Sequence, residues 1–147
     1  MIKVLSKEFQ HSCESTALML WESALLMASI INSNPTIVAG KRVLELGCGC
    51  GGICSIVAVR SADLVVATDG DANALDLLTQ NVEANLKSPF LDKLITRRLE
   101  WGIKTVLKWP EGILTSSSKS VISCWFSENV QDYVPSTALN IMYFKKG

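Results

Sequence analysis

The chain is poor in the groups that hydrolytic and metal-dependent enzymes use most. Its 147 residues include one histidine, His11. A Ser-His-Asp or Cys-His arrangement therefore has almost no supply of general bases. The cysteines are five, an odd number: Cys13, Cys48, Cys50, Cys54 and Cys124. Met1-Ile2-Lys3 runs into Ser6-Lys7-Glu8 with no apolar core of a secretory signal, so reduced thiols are expected. Cys48, Cys50 and Cys54 make a C-x-C-x3-C cluster, but a metal centre wants a fourth ligand and no neighbouring residue offers one. No metal is expected. Charge of one sign is also missing: 14 Lys and Arg balance 14 Asp and Glu. That excludes a general pull toward DNA or an anionic membrane. Lys93, Arg97 and Arg98 form a local basic group, read here as solvated surface. The longest apolar stretch, Ala17 to Ile31, is broken by Glu22 and falls short of the roughly 17–25 residues that cross a bilayer. The expectation is a soluble intracellular protein, cytoplasmic, with the nucleus as the alternative.

What the chain has is apolar residues and punctuation. Hydrophobic residues make up 48% and the mean hydropathy is +0.28, which suits one globular domain with a real core. Lys3 to Gln10 reads as a short strand or an arm. Ser15 or Thr16 caps a helix running to about Ile31, apolar on most of its circumference and so expected to be mostly buried. Asn32 to Pro35 is a stop. Then come a strand at Arg42 to Leu46, a helix at Gly51 to Arg60, a strand at Leu64 to Thr68, a helix at Ala72 to Leu86 and a strand at Ile95 to Leu99. The second helix puts Leu75, Leu78, Val82 and Leu86 on one face. This order predicts an α/β fold with a Rossmann-like parallel sheet and right-handed crossovers.

The most informative run is Val43 to Gly52, where a short apolar strand delivers Glu45 into Gly47-Cys48-Gly49-Cys50-Gly51-Gly52. Glycines let the backbone take positive φ and let a ligand approach it closely. Gly47, Gly49 and Gly52 satisfy G-x-G-x-x-G, the dinucleotide fingerprint. Glu45 to Gly51 also satisfies E-x-G-x-G-x-G, the pattern of S-adenosylmethionine sites. Both expect an acidic residue about 20 positions on, binding a ribose hydroxyl pair, and Asp69 stands there. Spacing leaves the two cofactors open. Glu45 favours S-adenosylmethionine, because a carboxylate repels a pyrophosphate and attracts an ammonium and a sulfonium. The alternative for Glu45 is that it ties loop amides together.

Four motifs in order then carry a resemblance. They are Trp21-Glu22-Ser23-Ala24 with the residues before it from Thr16, Val43 to Gly52, Asp69, and Leu99-Glu100-Trp101-Gly102. Together they resemble the seven-strand S-adenosylmethionine-dependent methyltransferases of family 16, which include protein lysine methyltransferases. Leu20 to Ala24 and Leu44 to Cys50 are most similar to a plant branch of methyltransferase-like proteins. There the domain follows a module similar to tRNA 3-methylcytidine methyltransferases. The resemblance implies S-adenosylmethionine as cofactor and a protein or tRNA as methyl acceptor. It implies that Trp21 and Glu22 lie over the methionine end of the cofactor and that Gly47, Gly49 and Gly51 let the chain pass close to it. It implies that Asp69 binds the ribose, with Gly70 in the same loop, and that Glu100 and Trp101 border the adenine. It names no catalytic residue.

The resemblance covers about Val4 to Gly112, so residues 1–112 read as the N-terminal half of a methyltransferase domain. Residues 113–147 read as a divergent, poorly structured tail. The family continues into a fourth strand ending in an acidic residue, with an aromatic three positions later. Here Val121 to Phe126 is the candidate strand, Glu128 is acidic, and Gln131 stands at the aromatic position. A truncation after about Gly112, by splicing or frameshift, is the expectation. It would leave an open edge on the first strand and a weak or inactive enzyme. Two rivals stay open: a non-catalytic fragment that binds cofactor or partners, and an NAD-binding Rossmann domain.

Overall fold

Apolar runs such as Val43-Leu44 and Val65-Val66-Ala67 suit strands buried on both faces, as parallel sheets require. In the structure, a computed structural model, residues 1–3, 15–100, 119–123 and 141–142 are described. These residues build a five-stranded sheet from β1 (Arg42–Leu46), β2 (Leu64–Asp69), β3 (Leu94–Arg98), β4 (Lys119–Ser123) and β5 (Ile141–Met142). The strand order is β3-β2-β1-β4-β5. The first four strands are mutually parallel, and β5 runs antiparallel to β4.

Strand β4 corrects one expectation. It starts at Lys119 rather than Val121, and it pairs with β1 from Arg42↔Lys119 to Leu46↔Ser123. The first strand therefore has no open edge. A central apolar strand leaves its N–H and C=O groups unpaired unless both neighbours are present, and Ser120-Val121-Ile122 supplies a segment with strand propensity. The serine run before it hid the start. Strand order reverses between β1 and β4. That switch, at the carboxyl ends of the strands, is where open α/β sheets hold ligands.

Three helices share a core with the Val43, Val65 and Leu94 face of the sheet: α1 (Glu22–Ser33), α2 (Ile53–Ala58) and α3 (Ala72–Asn85). Met27 and Ile31 of α1, Cys54 and Ala58 of α2, and Leu78 and Val82 of α3 belong to it. Helix α1 begins six residues later than its capping signal suggests. Ser15 instead caps a single 3-10 turn, Thr16–Leu18, and Met19 is extended. The chain then restarts at Trp21, whose carbonyl accepts from the amides of Ala24 and Leu25. The break has a tertiary cause: it leaves the Ala17 carbonyl free to accept from the Cys50 amide at 2.7 Å. The helix is also less buried than its composition suggests, with Leu25 and Leu26 about half exposed.

Helix α3 is capped by Asp71, whose carboxylate accepts from the amides of Asn73 (2.8 Å) and Ala74 (3.3 Å). A hydrogen bond from the Ser15 hydroxyl, with these two amides, holds the Asp71 carboxyl below its usual range. Asp71→Ala should cost about 1 kcal/mol through the lost cap, and Asp71→Asn should recover most of it. Urea unfolding of the two variants checks this, and equal midpoints would refute the capping role.

Candidate cofactor-binding site

The chain leaves β1 through a turn that L side chains rarely tolerate. Gly47, Gly49 and Gly52 have φ of 67°, 58° and 52°, and among the described residues every positive φ belongs to a glycine. The turn is tied to the end of β2 by three bonds. The Cys48 amide donates to the Thr68 carbonyl at 2.9 Å. The Thr68 hydroxyl donates to the Glu45 carbonyl at 2.7 Å. The Gly49 amide donates to Oδ2 of Asp69 at 2.9 Å. Oδ1 of Asp69 accepts from the Asp71 amide at 3.0 Å. The acidic residue at the end of β2 therefore lies against the turn, with one oxygen on each of two loops.

The glycines differ in what demands them. A Cβ on Gly49 would stand 3.0 Å from the Ala17 carbonyl oxygen, and one on Gly52 would stand 2.2 Å from Cδ1 of Leu78. Gly51 is buried beneath Ile2, Leu20 and Ile53, and a Cβ there would make only ordinary contacts. Gly47 is exposed and is the member of the run open to approach.

Glu45 sits on the core side of the turn. It is 2% exposed, and its carboxylate accepts from the hydroxyl of Ser55 in the first turn of α2. The Ser55 amide also bonds to it. Helix α2 has Gly52 as its N-cap and no side-chain cap there, so Glu45 satisfies an otherwise orphan helix amide from the neighbouring strand. Burial pushes its carboxyl up to about 7, against these stabilising bonds. This geometry is the loop-tying alternative of the sequence reading, and the attraction of Glu45 for a cation operates only when it is ionised.

Burial acts on Cys48 and Cys50 in the same direction. Burial, with Glu45 next in importance, pushes the Cys48 thiol well up, and burial raises Cys50. Thiolate, the reactive form, is thus disfavoured. Among the described residues no group of three His, Cys, Asp or Glu side chains is arranged to hold a metal ion.

The remaining described candidates lie on two segments, one at the start of α1 and one after β2 and β3. Trp21 is the N-cap residue of α1, half-buried, and its indole Nε1 donates to the Thr16 carbonyl at 3.1 Å. Glu22 is the first residue of α1 and exposed. The Leu99 amide donates to the Asp69 carbonyl at 2.9 Å, carrying the chain after β3 past Asp69. Gly70 lies against Glu100, whose carboxylate pairs with the Arg98 guanidinium. Nε of Arg98 donates to the Gly70 carbonyl at 3.1 Å. Trp101 lies outside the described residues. Sequence reasoning missed Ala17, Ser55 and Asn81. Asn81 carried a readable signal, a polar residue beside Leu78 and Val82 on the apolar face of α3, and it is fully buried.

A parallel sheet, a left-handed glycine turn after β1 and a bonded acid after β2 narrow the field to nucleotide-like cofactor folds. The sequence profile of the lysine methyltransferases, family 16, matches residues 5–116. The chain belongs to that family. Among the described residues, its four parallel strands form a Rossmann-like sheet, as the resemblance to that family implies. The protein-lysine N-methyltransferase EFM3 of Chaetomium thermophilum is 34% identical over 98 residues, 66% of this chain and 29% of that protein. The electron transfer flavoprotein beta subunit lysine methyltransferase of Danio rerio is 36% identical over 69 residues, 47% of this chain and 27% of that one. This family member thus spans well under half the length of these relatives. Among solved structures, Arabidopsis thaliana protein arginine methyltransferase 10 aligns with 67% of this chain and 25% of its own, at 25% identity and a TM-score of 0.49.

Proposed function

We propose that this chain is the cofactor-binding part of a protein lysine methyltransferase and that its cofactor is S-adenosylmethionine. The observation that carries the reading is the Asp69 carboxylate bonded to the Gly49 amide beside the exposed Gly47. A carboxylate has about four lone-pair sites. The amides of Gly49 and Asp71 take one on each oxygen, which leaves capacity for a pair of ribose hydroxyls. The residues present therefore fit the group. When bound, S-adenosylmethionine supplies an activated methyl on a sulfonium for in-line displacement.

Each residue then has a task. Gly47 admits the cofactor close to the backbone, and Gly49 and Gly51 shape the turn beneath it. Trp21 offers the face of an indole to a cation, and Glu22 and Glu45 add negative charge near it. Gly70, the stem of Glu100 and Trp101 border the base. Positioning and exclusion of water dominate such a displacement, so the scarcity of histidine is no obstacle. The lysine acceptor follows from the relatives' activities.

Asp69→Ala tests it. A hydrogen bond to a charged group is worth roughly 1.5–3 kcal/mol, so affinity for S-adenosylmethionine should fall about tenfold to a hundredfold. Calorimetric titration of the unmutated chain and the variant, with circular dichroism as a control for folding, decides it. Unchanged affinity in a folded variant would sink the ribose role. Tighter binding of NAD than of S-adenosylmethionine by the unmutated chain would replace the reading with a Rossmann dehydrogenase-type site.

A further inference from the structure

The side-chain amide of Asn81, fully buried on α3, has three partners that no part of the proposed site uses. Oδ1 accepts from the Lys3 amide at 2.7 Å, and Nδ2 donates to the Lys3 carbonyl at 2.8 Å. Nδ2 also donates to the Cys50 carbonyl, in the middle of the glycine turn, at 2.8 Å. One turn further along α3, Asn85 repeats the grip. Its Oδ1 accepts from Met1 N at 3.0 Å, and its Nδ2 donates to the Met1 carbonyl at 3.1 Å. The spacing matches: four helical residues advance about 6 Å, and two residues of extended chain about 6.6 Å. Between the two grips, Ile2 comes to within ordinary contact of where a Cβ on Gly51 would stand. The segment Met1 to Lys3 is thus clamped to α3 and lies against the glycine turn, with Asn81 joining the two.

We propose that Asn81 is a positioning residue for the cofactor turn and that the N-terminal segment is the latch through which it acts. The turn is held from one side by the Ala17 carbonyl on the Cys50 amide and from the other by Asn81 on the Cys50 carbonyl. With Lys3 docked, the Asn81 amide is locked in the one orientation that serves Cys50. With Lys3 released, that amide loses two of its three bonds and is free to rotate, and the peptide at Cys50 loses its register. Cofactor affinity therefore depends on docking of a segment that touches no cofactor. This coupling rests on the function proposed above; the ordering of the turn does not.

Two variants probe the latch from opposite ends. Lys3→Pro removes the Lys3 N–H at an exposed residue and leaves α3 intact. Asn81→Asp keeps the shape and the acceptor but loses both donors. Each is read by calorimetric affinity for S-adenosylmethionine and by hydrogen exchange without ligand. The expected result is an affinity about tenfold weaker in each, with the amides of Gly49, Cys50 and Gly52 exchanging at least tenfold faster. The amides of the β2–β3 ladder should keep their rates, which a general loss of stability would not allow. Unchanged exchange at Cys50 in Lys3→Pro overturns the latch, even if Asn81→Asp fails to fold. Faster exchange with unchanged affinity overturns the coupling. Failure of the unmutated chain to bind S-adenosylmethionine overturns the proposed function instead, and exchange alone then decides the latch.

Discussion

Gly52→Ala should lower the stability of the chain by about 2–5 kcal/mol. Two costs add at this residue. Its φ of +52° is left-handed, a conformation that costs an L residue roughly 1–2 kcal/mol. The new methyl would also stand 2.2 Å from Cδ1 of Leu78. Leu78 is fully buried, so it has no open space to swing into, and overpacking of this kind costs typically 1–3 kcal/mol. The sum, about 2–5 kcal/mol, is a large part of the roughly 5–15 kcal/mol that holds a complete domain. Gly40→Ala is the internal control. Gly40 has φ of +65° with nothing within 4 Å of where the new methyl would stand, so it carries the backbone cost alone. Urea midpoints should fall modestly for Gly40→Ala and severely for Gly52→Ala, and Gly52→Ala with Leu78→Ala should be less than additive. Equal midpoints for the two glycine variants would show that Leu78 yields freely and that the turn does not depend on this contact.

That pair of glycines also shows what the sequence can and cannot say. The G-x-G-x-x-G spacing and the strand before it located the turn, because only glycine occupies left-handed backbone cheaply. The reason for the last glycine lies 26 residues away on α3 and has no local signature. The same division runs through the site. Asp69 was legible, since an acid at the end of a second apolar strand is a short-range pattern. The Ala17 carbonyl was not, since a backbone acceptor has no residue identity to read. Strand β3 is displaced from its expected span by one residue, ending at Arg98. The late start of α1 follows from the tertiary bond to Cys50, which overrides the capping signal at Ser15. Strand β4 was legible as apolar sequence, but its pairing with β1 was not, because pairing is a long-range fact.

Stability should fall as pH rises from about 4.5 to about 7, and Glu45 should be the cause. The carboxyl titrates near 4.5 when the chain is unfolded and at about 7 when burial surrounds it. Between those values the folded form holds a proton that the unfolded form has released. Folding then takes up a proton, so raising the pH favours unfolding. The contribution is complete below 4.5, is lost progressively through 7, and is flat above. Two and a half pH units at about 1.4 kcal/mol each amount to on the order of 3 kcal/mol. Glu45→Gln keeps an oxygen for the Ser55 hydroxyl and carries no charge. Its unfolding free energy should match that of the unmutated chain near pH 4.5 and exceed it near pH 8. The difference between the two proteins, followed by urea unfolding across that range, cancels the other carboxylates. A pH-independent difference would mean that Glu45 does not titrate there. The same proton bears on the site. A cation bound near the turn stabilises the ionised carboxylate, so S-adenosylmethionine binding between about pH 5 and 7 should release a proton. Calorimetry in buffers of different ionisation enthalpy measures that release. Its loss in Glu45→Gln would assign the charge role to Glu45, and its persistence would leave Glu45 solely as the tie that holds α2 to β1.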